Sequence, residues 1–119
     1  MKKLKCHCGL VEAEINVLQE LKKFLRCNCS ICKRKGAVMS MVANENFKII
    51  KGHDQLKLYQ FHTNVAKHYF CSNCGIYTHH NPRSNPNMTG FNIGCLDDFE
   101  GMKLKDITVN DGQNHPLDK

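Results

Sequence analysis

Apolar and polar residues alternate early in the chain. Val11, Ala13, Ile15 and Val17 are interleaved with Glu12, Glu14 and Asn16. Period two predicts a strand with one wet face. The stretch 18–25 is less regular. Leu18, Leu21 and Leu25 fit a helical stripe, but the stretch is short and Phe24 falls off that face. It reads as a turn followed by a strand that delivers Cys27. Ser30 is placed to cap a short helical turn that Gly36 ends. Stretches 37–42 and 47–51 read as strands, with a turn at Gly52-His53-Asp54. Stretch 56–62 has Leu56 and Leu58 on one face and Tyr59 and Phe61 on the other. That pattern predicts a strand covered on both sides. Stretches 65–70, 76–80 and 89–95 continue as strands, the last with Phe91, Ile93 and Cys95 on one face. The loop 81–87 carries Pro82 and Pro86, which would hold Arg83 in a fixed place. A weaker strand is expected over 104–109, and the polar tail from Asn110 is expected on the surface. No repeat, linker or low-complexity segment interrupts this pattern.

The chain has 119 residues, which fits a single domain over 1–119. It is 41% apolar and has no Trp, so its core is modest. Eight cysteines exceed what packing such a core needs. The basic start, Met1 to Lys5, is not followed by an apolar stretch of signal-peptide type, and no run is long enough to span a bilayer. The expectation is therefore a cytoplasmic chain that uses its cysteines for metal rather than for disulfides. The net charge of +6 is spread along the chain, with one dense run at Lys33-Arg34-Lys35. A nucleic-acid partner is not the favoured reading of that charge. Zinc–thiolate sites are net negative, and nearby cations help to balance them.

The cysteines divide by spacing. Cys27, Cys29 and Cys32 lie within six residues. Three thiolates this close can converge on one ion and leave a fourth position open, as reactive zinc sites do. Cys6 and Cys8 form one pair closed by Gly9; Cys71 and Cys74 form another closed by Gly75. Together these four make a closed, structural zinc site that pins the start of the chain to its middle. Placement at a helix start beside Lys and Arg favours the thiolate form of Cys29 and Cys32. His7 is expected to face solvent. His79 and His80 are adjacent on a strand and point to opposite faces, so they do not readily serve one ion. Cys95 has no neighbouring cysteine and is expected to be a buried thiol.

With these motifs in hand, the chain resembles the glutathione-dependent formaldehyde-activating enzyme family, which includes centromere protein V. The resemblance is carried by Cys6-His7-Cys8-Gly9, Cys27-Asn28-Cys29-Ser30-Ile31-Cys32 and Phe70-Cys71-Ser72-Asn73-Cys74-Gly75. Tyr59-Gln60-Phe61, the run 92–97 and Asp111-Gly112 look similar too. The resemblance implies a mainly β fold, a β-tent of several small coiled antiparallel sheets stapled by zinc. It implies two zinc ions per chain: a structural one at Cys6, Cys8, Cys71 and Cys74, and a reactive one at Cys27, Cys29 and Cys32. It implies a carbon–sulfur lyase that joins glutathione and formaldehyde to give S-hydroxymethylglutathione. Tent folds also serve as zinc-stapled binding modules, so a module for protein or nucleic acid without catalysis is the alternative. Metal handling or a thiol switch at the three-cysteine cluster is a third.

Overall fold

The structure is a computed structural model that describes residues 1–17, 23–97 and 107–111. Ten strands and one short helix occur among them. They are β1 (Lys2–Lys5), β2 (Glu12–Ile15), β3 (Leu25–Cys27), α1 (Ser30–Lys35), β4 (Met39–Ala43) and β5 (Phe47–Lys51). Then come β6 (Leu56–Tyr59), β7 (Lys67–Cys71), β8 (Tyr77–Asn81), β9 (Met88–Asn92) and β10 (Thr108–Asn110). The chain is mostly β, as its alternation and its resemblance imply. Strands β1, β2 and β5 form a three-stranded antiparallel sheet in that order. The other seven form one sheet in the order β10-β3-β4-β9-β8-β7-β6. All its pairs run antiparallel except β10 with β3, which is parallel.

The core lies where the two sheets meet. Leu4, Ala13 and Ile15 come from the small sheet, and Val42 and Phe91 from the large one. Ile93, Cys95 and Leu96 complete it from a 3-10 turn and its exit. The strand expected over 89–95 therefore ends at Asn92, whose side chain accepts from the Gly94 amide at 3.0 Å and turns the chain. Cys95 is buried, as expected. Its thiol points at the Tyr77 carbonyl at 3.7 Å, and burial pushes it up to about 12.

The stretch 56–62 is not a strand covered on both sides. β6 stops at Tyr59 and pairs only with β7, so it is the sheet's edge. Leu58 and Tyr59 are each 48% exposed. Two-sided hydrophobicity marks a central strand only when neighbours flank it, and here one flank is solvent. The turn at Gly52 is as expected. Its φ is 77°, and a Cβ there would meet the Leu10 carbonyl, so two conditions demand glycine. Residues 18–22, the first part of the strand expected over 104–109 and most of the tail lie outside the described residues. Among those described, no helix is long and apolar enough to cross a membrane.

Candidate metal centres and the adjoining cavity

The first cluster joins two turns built alike. Cys6 follows β1, and its amide donates to the Val11 carbonyl at 3.1 Å. Cys71 ends β7, and its amide donates to the Ile76 carbonyl at 3.0 Å. In each turn a glycine amide closes back on the first cysteine: Gly9 to the Cys6 carbonyl, Gly75 to the Cys71 carbonyl. These turns bring the sulfurs of Cys6, Cys8, Cys71 and Cys74 within 4.8 Å of one another. Cys6 and Cys8 are 3.5 Å apart, and Cys8 and Cys71 are 3.7 Å apart. Tetrahedral zinc with sulfur at about 2.3 Å would set its ligands about 3.8 Å apart. The two shortest of these separations come close to that spacing, so the quartet suits a tetrahedral ion such as zinc. The Val11 amide also donates to the Cys6 sulfur at 3.3 Å, a bond that suits thiolate. The Asn73 side chain and the Leu10 amide lower the Cys8 thiol to about 6.

The second cluster forms where β3 meets α1. Cys27 ends β3, Cys29 is the residue before the helix, and Cys32 lies in its first turn. Their sulfurs also lie within 4.8 Å of one another. The expected cap, Ser30, is displaced by its neighbour: the Cys29 sulfur accepts from the Cys32 amide at 3.4 Å. Gly36 ends the helix in the left-handed region at φ 66°, as its position predicts. Hydrogen bonds from Cys27 and Cys32 hold the Cys29 thiol far below its ordinary range. The same sharing, with Cys27 and Cys29, drives Cys32 far above it. Three sulfurs this close are a site that a cation can enter by displacing their protons. On the other side of β3, the Asn28 amide donates to the Asn110 carbonyl at 3.1 Å, and its side chain donates to Asp111 at 3.2 Å. These bonds tie β10 to the cluster.

The two clusters differ in what lies beside them. A cavity of about 950 Å³ opens onto Cys27, Cys29 and Cys32. Met39, Met41 and Phe61 give it apolar surface, and Arg83 and Asp111 also line it. The sequence presents Lys33-Arg34-Lys35 as one exposed run, but the helix divides it. Lys33 and Arg34 are exposed, with Arg34 folded onto the Ser30 carbonyl at 2.7 Å. Lys35 is half-buried and lines the cavity. Its Nζ lies 2.7 Å from His68 Nδ1 and 3.5 Å above the Tyr77 ring centre. Burial draws its pKa down to about 8, while the thiolates of Cys32 and Cys29 favour its charged form.

Behind Lys35 stands a stack of rings. His68 and His80 face each other across β7 and β8, with centroids 5.6 Å apart and planes 11° from parallel. The Tyr77 hydroxyl meets His80 Nδ1 at 2.5 Å. Burial lowers His68 to about 4 and His80 to about 3, so both are neutral near pH 7. His79 points the other way, as strand geometry requires. It bonds Thr78 at 2.8 Å through Nδ1 and lies between Phe47 and Tyr69. Neither His79 nor His80 belongs to a metal-ligand cluster among the described residues. His7 is exposed, as expected.

The sequence points to Lys35 only as one cation of a dense run that could attract an anionic peptide, and it does not point to His68 or Tyr77 as cavity groups. A signal existed for Lys35: it follows Cys32 by three residues on a helix, which puts both on one face. His68 and Tyr77 gave no such signal, because only the pairing of β7 with β8 brings them to the cysteines.

Known proteins resemble this chain over most of its length. The family profile described as "Glutathione-dependent formaldehyde-activating enzyme" matches residues 1–109. The chain is also similar to a Rhodobacter sphaeroides protein of known crystal structure, with 41% sequence identity and a TM-score of 0.86. That similarity covers 91% of this chain and 99% of the other. By the span of the profile match, this chain belongs to the glutathione-dependent formaldehyde-activating enzyme family.

Proposed function

We propose that this protein is a zinc-dependent carbon–sulfur lyase that joins a thiol, glutathione or a close analogue, to formaldehyde or another small aldehyde. The observation that carries the reading is the contrast between the clusters. Four sulfurs complete one site, whereas three sulfurs form the other beside a cavity of about 950 Å³. Thiolates are soft donors that suit zinc, and their spacing fits it. Zinc held by Cys27, Cys29 and Cys32 would keep a substrate thiol deprotonated at neutral pH or polarise a carbonyl oxygen. Family membership supports glutathione and formaldehyde as the pair.

The chain's own residues supply the remainder. The cavity has room for a tripeptide, and its walls restrict how the two reactants meet, which converts a bimolecular encounter into a local one. Lys33 and Arg34, exposed on the helix that carries Cys32, are placed to attract an anionic peptide. Met39, Met41 and Phe61 limit the water around the sulfur. The test is adduct formation from glutathione and formaldehyde, followed against the uncatalysed rate. Acceleration that is lost in Cys32→Ser supports the reading. No acceleration by the zinc-loaded protein refutes it in favour of a zinc-stapled binding module.

A further inference from the structure

Among the described residues, Lys35 is the lysine that lines the cavity. It is drawn into the cavity that Cys27, Cys29 and Cys32 line, and among the described residues no carboxylate pairs with it. Burying part of an ammonium is costly unless negative charge lies nearby, and the thiolates of Cys32 and Cys29 supply it here. Its surroundings fix its place. The Tyr77 ring lies under it at 3.5 Å, and His68 Nδ1 accepts one of its hydrogens at 2.7 Å. Since an ammonium only donates, that bond puts the His68 proton on Nε2. The His80 ring backs His68, and Tyr77 in turn bonds His80. An ammonium has three N–H groups. His68 takes one and the ring face attracts the charge, which leaves donors for a ligand in the cavity.

Resting on the lyase reading above, we propose that Lys35 is a catalytic residue that donates a hydrogen bond to the aldehyde oxygen and stabilises the negative charge forming there. The step balances simply. The sulfur lone pair of the substrate thiolate forms the new bond to the carbonyl carbon. The π pair of the carbonyl passes to its oxygen beside Lys35, and water in the open cavity gives that oxygen its proton. In reverse, the same contact holds the alkoxide as the carbon–sulfur bond breaks. His68 is a positioning residue: it keeps the Lys35 side chain folded inward rather than extended to solvent like Lys33.

The experiment compares zinc-loaded wild type with Lys35→Gln and Lys35→Arg. Loss of a single oxyanion donor typically lowers kcat about 10²- to 10³-fold. Lys35→Gln is expected to lose kcat in that range while its glutathione affinity, measured by calorimetry, changes less than about threefold. Lys35→Arg should recover part of the loss. A binding readout needs no turnover: wild type should hold S-carboxymethylglutathione, with its anionic oxygens near the sulfur, more tightly than S-methylglutathione. Lys35→Gln should lose that preference. Full kcat in Lys35→Gln overturns the proposal. So does a kcat loss matched by an equal loss of glutathione affinity, which would make Lys35 a peptide anchor. If Lys35→Gln fails to fold or to keep zinc, equal affinity of wild type for the two thioethers still overturns it. Wild type that gives no acceleration sinks the lyase reading and this inference together; active wild type indifferent to Lys35 sinks only the inference.

Discussion

Unfastening the four-sulfur cluster should cost the fold a measurable and calculable amount. The perturbation of choice is Cys8→Ser, because Cys8 is exposed whereas Cys71 is fully buried. Serine at Cys71 would add a packing defect to the lost ligand; at Cys8 it removes little but the ligand. Cys8 and Cys71 lie 63 positions apart. A cross-link closing a loop of that size restricts the unfolded chain by about 4 kcal/mol in the chain-entropy treatment. Domains of this kind are stable by roughly 5–15 kcal/mol in total, so the clamp is a large share. For a chain of this length, 1 kcal/mol moves the melting temperature by about 4 °C, which gives a fall of about 16 °C when the clamp is fully lost. Cys8→Ser retains three sulfurs and should show part of that fall; with a zinc chelator it should show all of it. Differential scanning calorimetry on wild type, Cys8→Ser and Cys29→Ser, each with and without chelator, makes the comparison. The second cluster closes a loop of only six residues, so Cys29→Ser should cost about half as much. A Cys8→Ser protein that melts with wild type, or above Cys29→Ser, would refute the assignment of the quartet as the clamp.

Three further outcomes follow from the packing. A Cβ on Gly90 would collide with the His80 ring and the Met41 sulfur, so Gly90→Ala should destabilise by roughly 1–3 kcal/mol and perturb the His80 ring resonances in NMR spectra. Gly52→Ala meets both a positive φ and the Leu10 carbonyl, and urea unfolding should show a loss of more than about 1 kcal/mol with its m-value unchanged. Burial lowers His79 to about 4, so the folded state refuses a proton that the unfolded state accepts at about 6.5. The resulting stability is complete above pH 6.5 and is lost as pH falls toward 4, by at most about 3 kcal/mol. His79→Gln should flatten that part of the pH–stability curve relative to wild type, as read by urea unfolding at pH 7 and pH 5.

Much of the site was legible in the chain because its signals are local. The clusters are written in short spacings: Cys27, Cys29 and Cys32 in six residues, and two glycine-closed pairs. Sulfur ligands must converge whatever the topology, so spacing alone sorted them, and the sulfur positions agree. The strand at 12–15 was legible because one of its faces is wet and the other is core. The misreadings have one cause, which is the missing knowledge of neighbours. The stretch 56–62 looked central because both its faces are apolar, yet it borders solvent. Ser30 looked like the cap because hydroxyls usually fill that role, but the chain places a sulfur there, where the same atom can serve a metal. The cavity's polar wall needs the register of β7 against β8, which sets His68 opposite His80. No local pattern encodes that pairing. Arg83 shows the intermediate case: its prolines promised a fixed place, and the fold sets it on the cavity.

The proposed chemistry depends on two metal sites of unequal kind, and metal counting tests it most directly. Zinc per chain, measured by inductively coupled plasma mass spectrometry after exhaustive dialysis, should be about two in wild type. In Cys29→Ser it should fall to about one, with the remaining ion resisting chelators that strip the open site. One zinc in wild type, or loss of both ions from Cys29→Ser, would contradict the division into a closed clamp and an open reactive site.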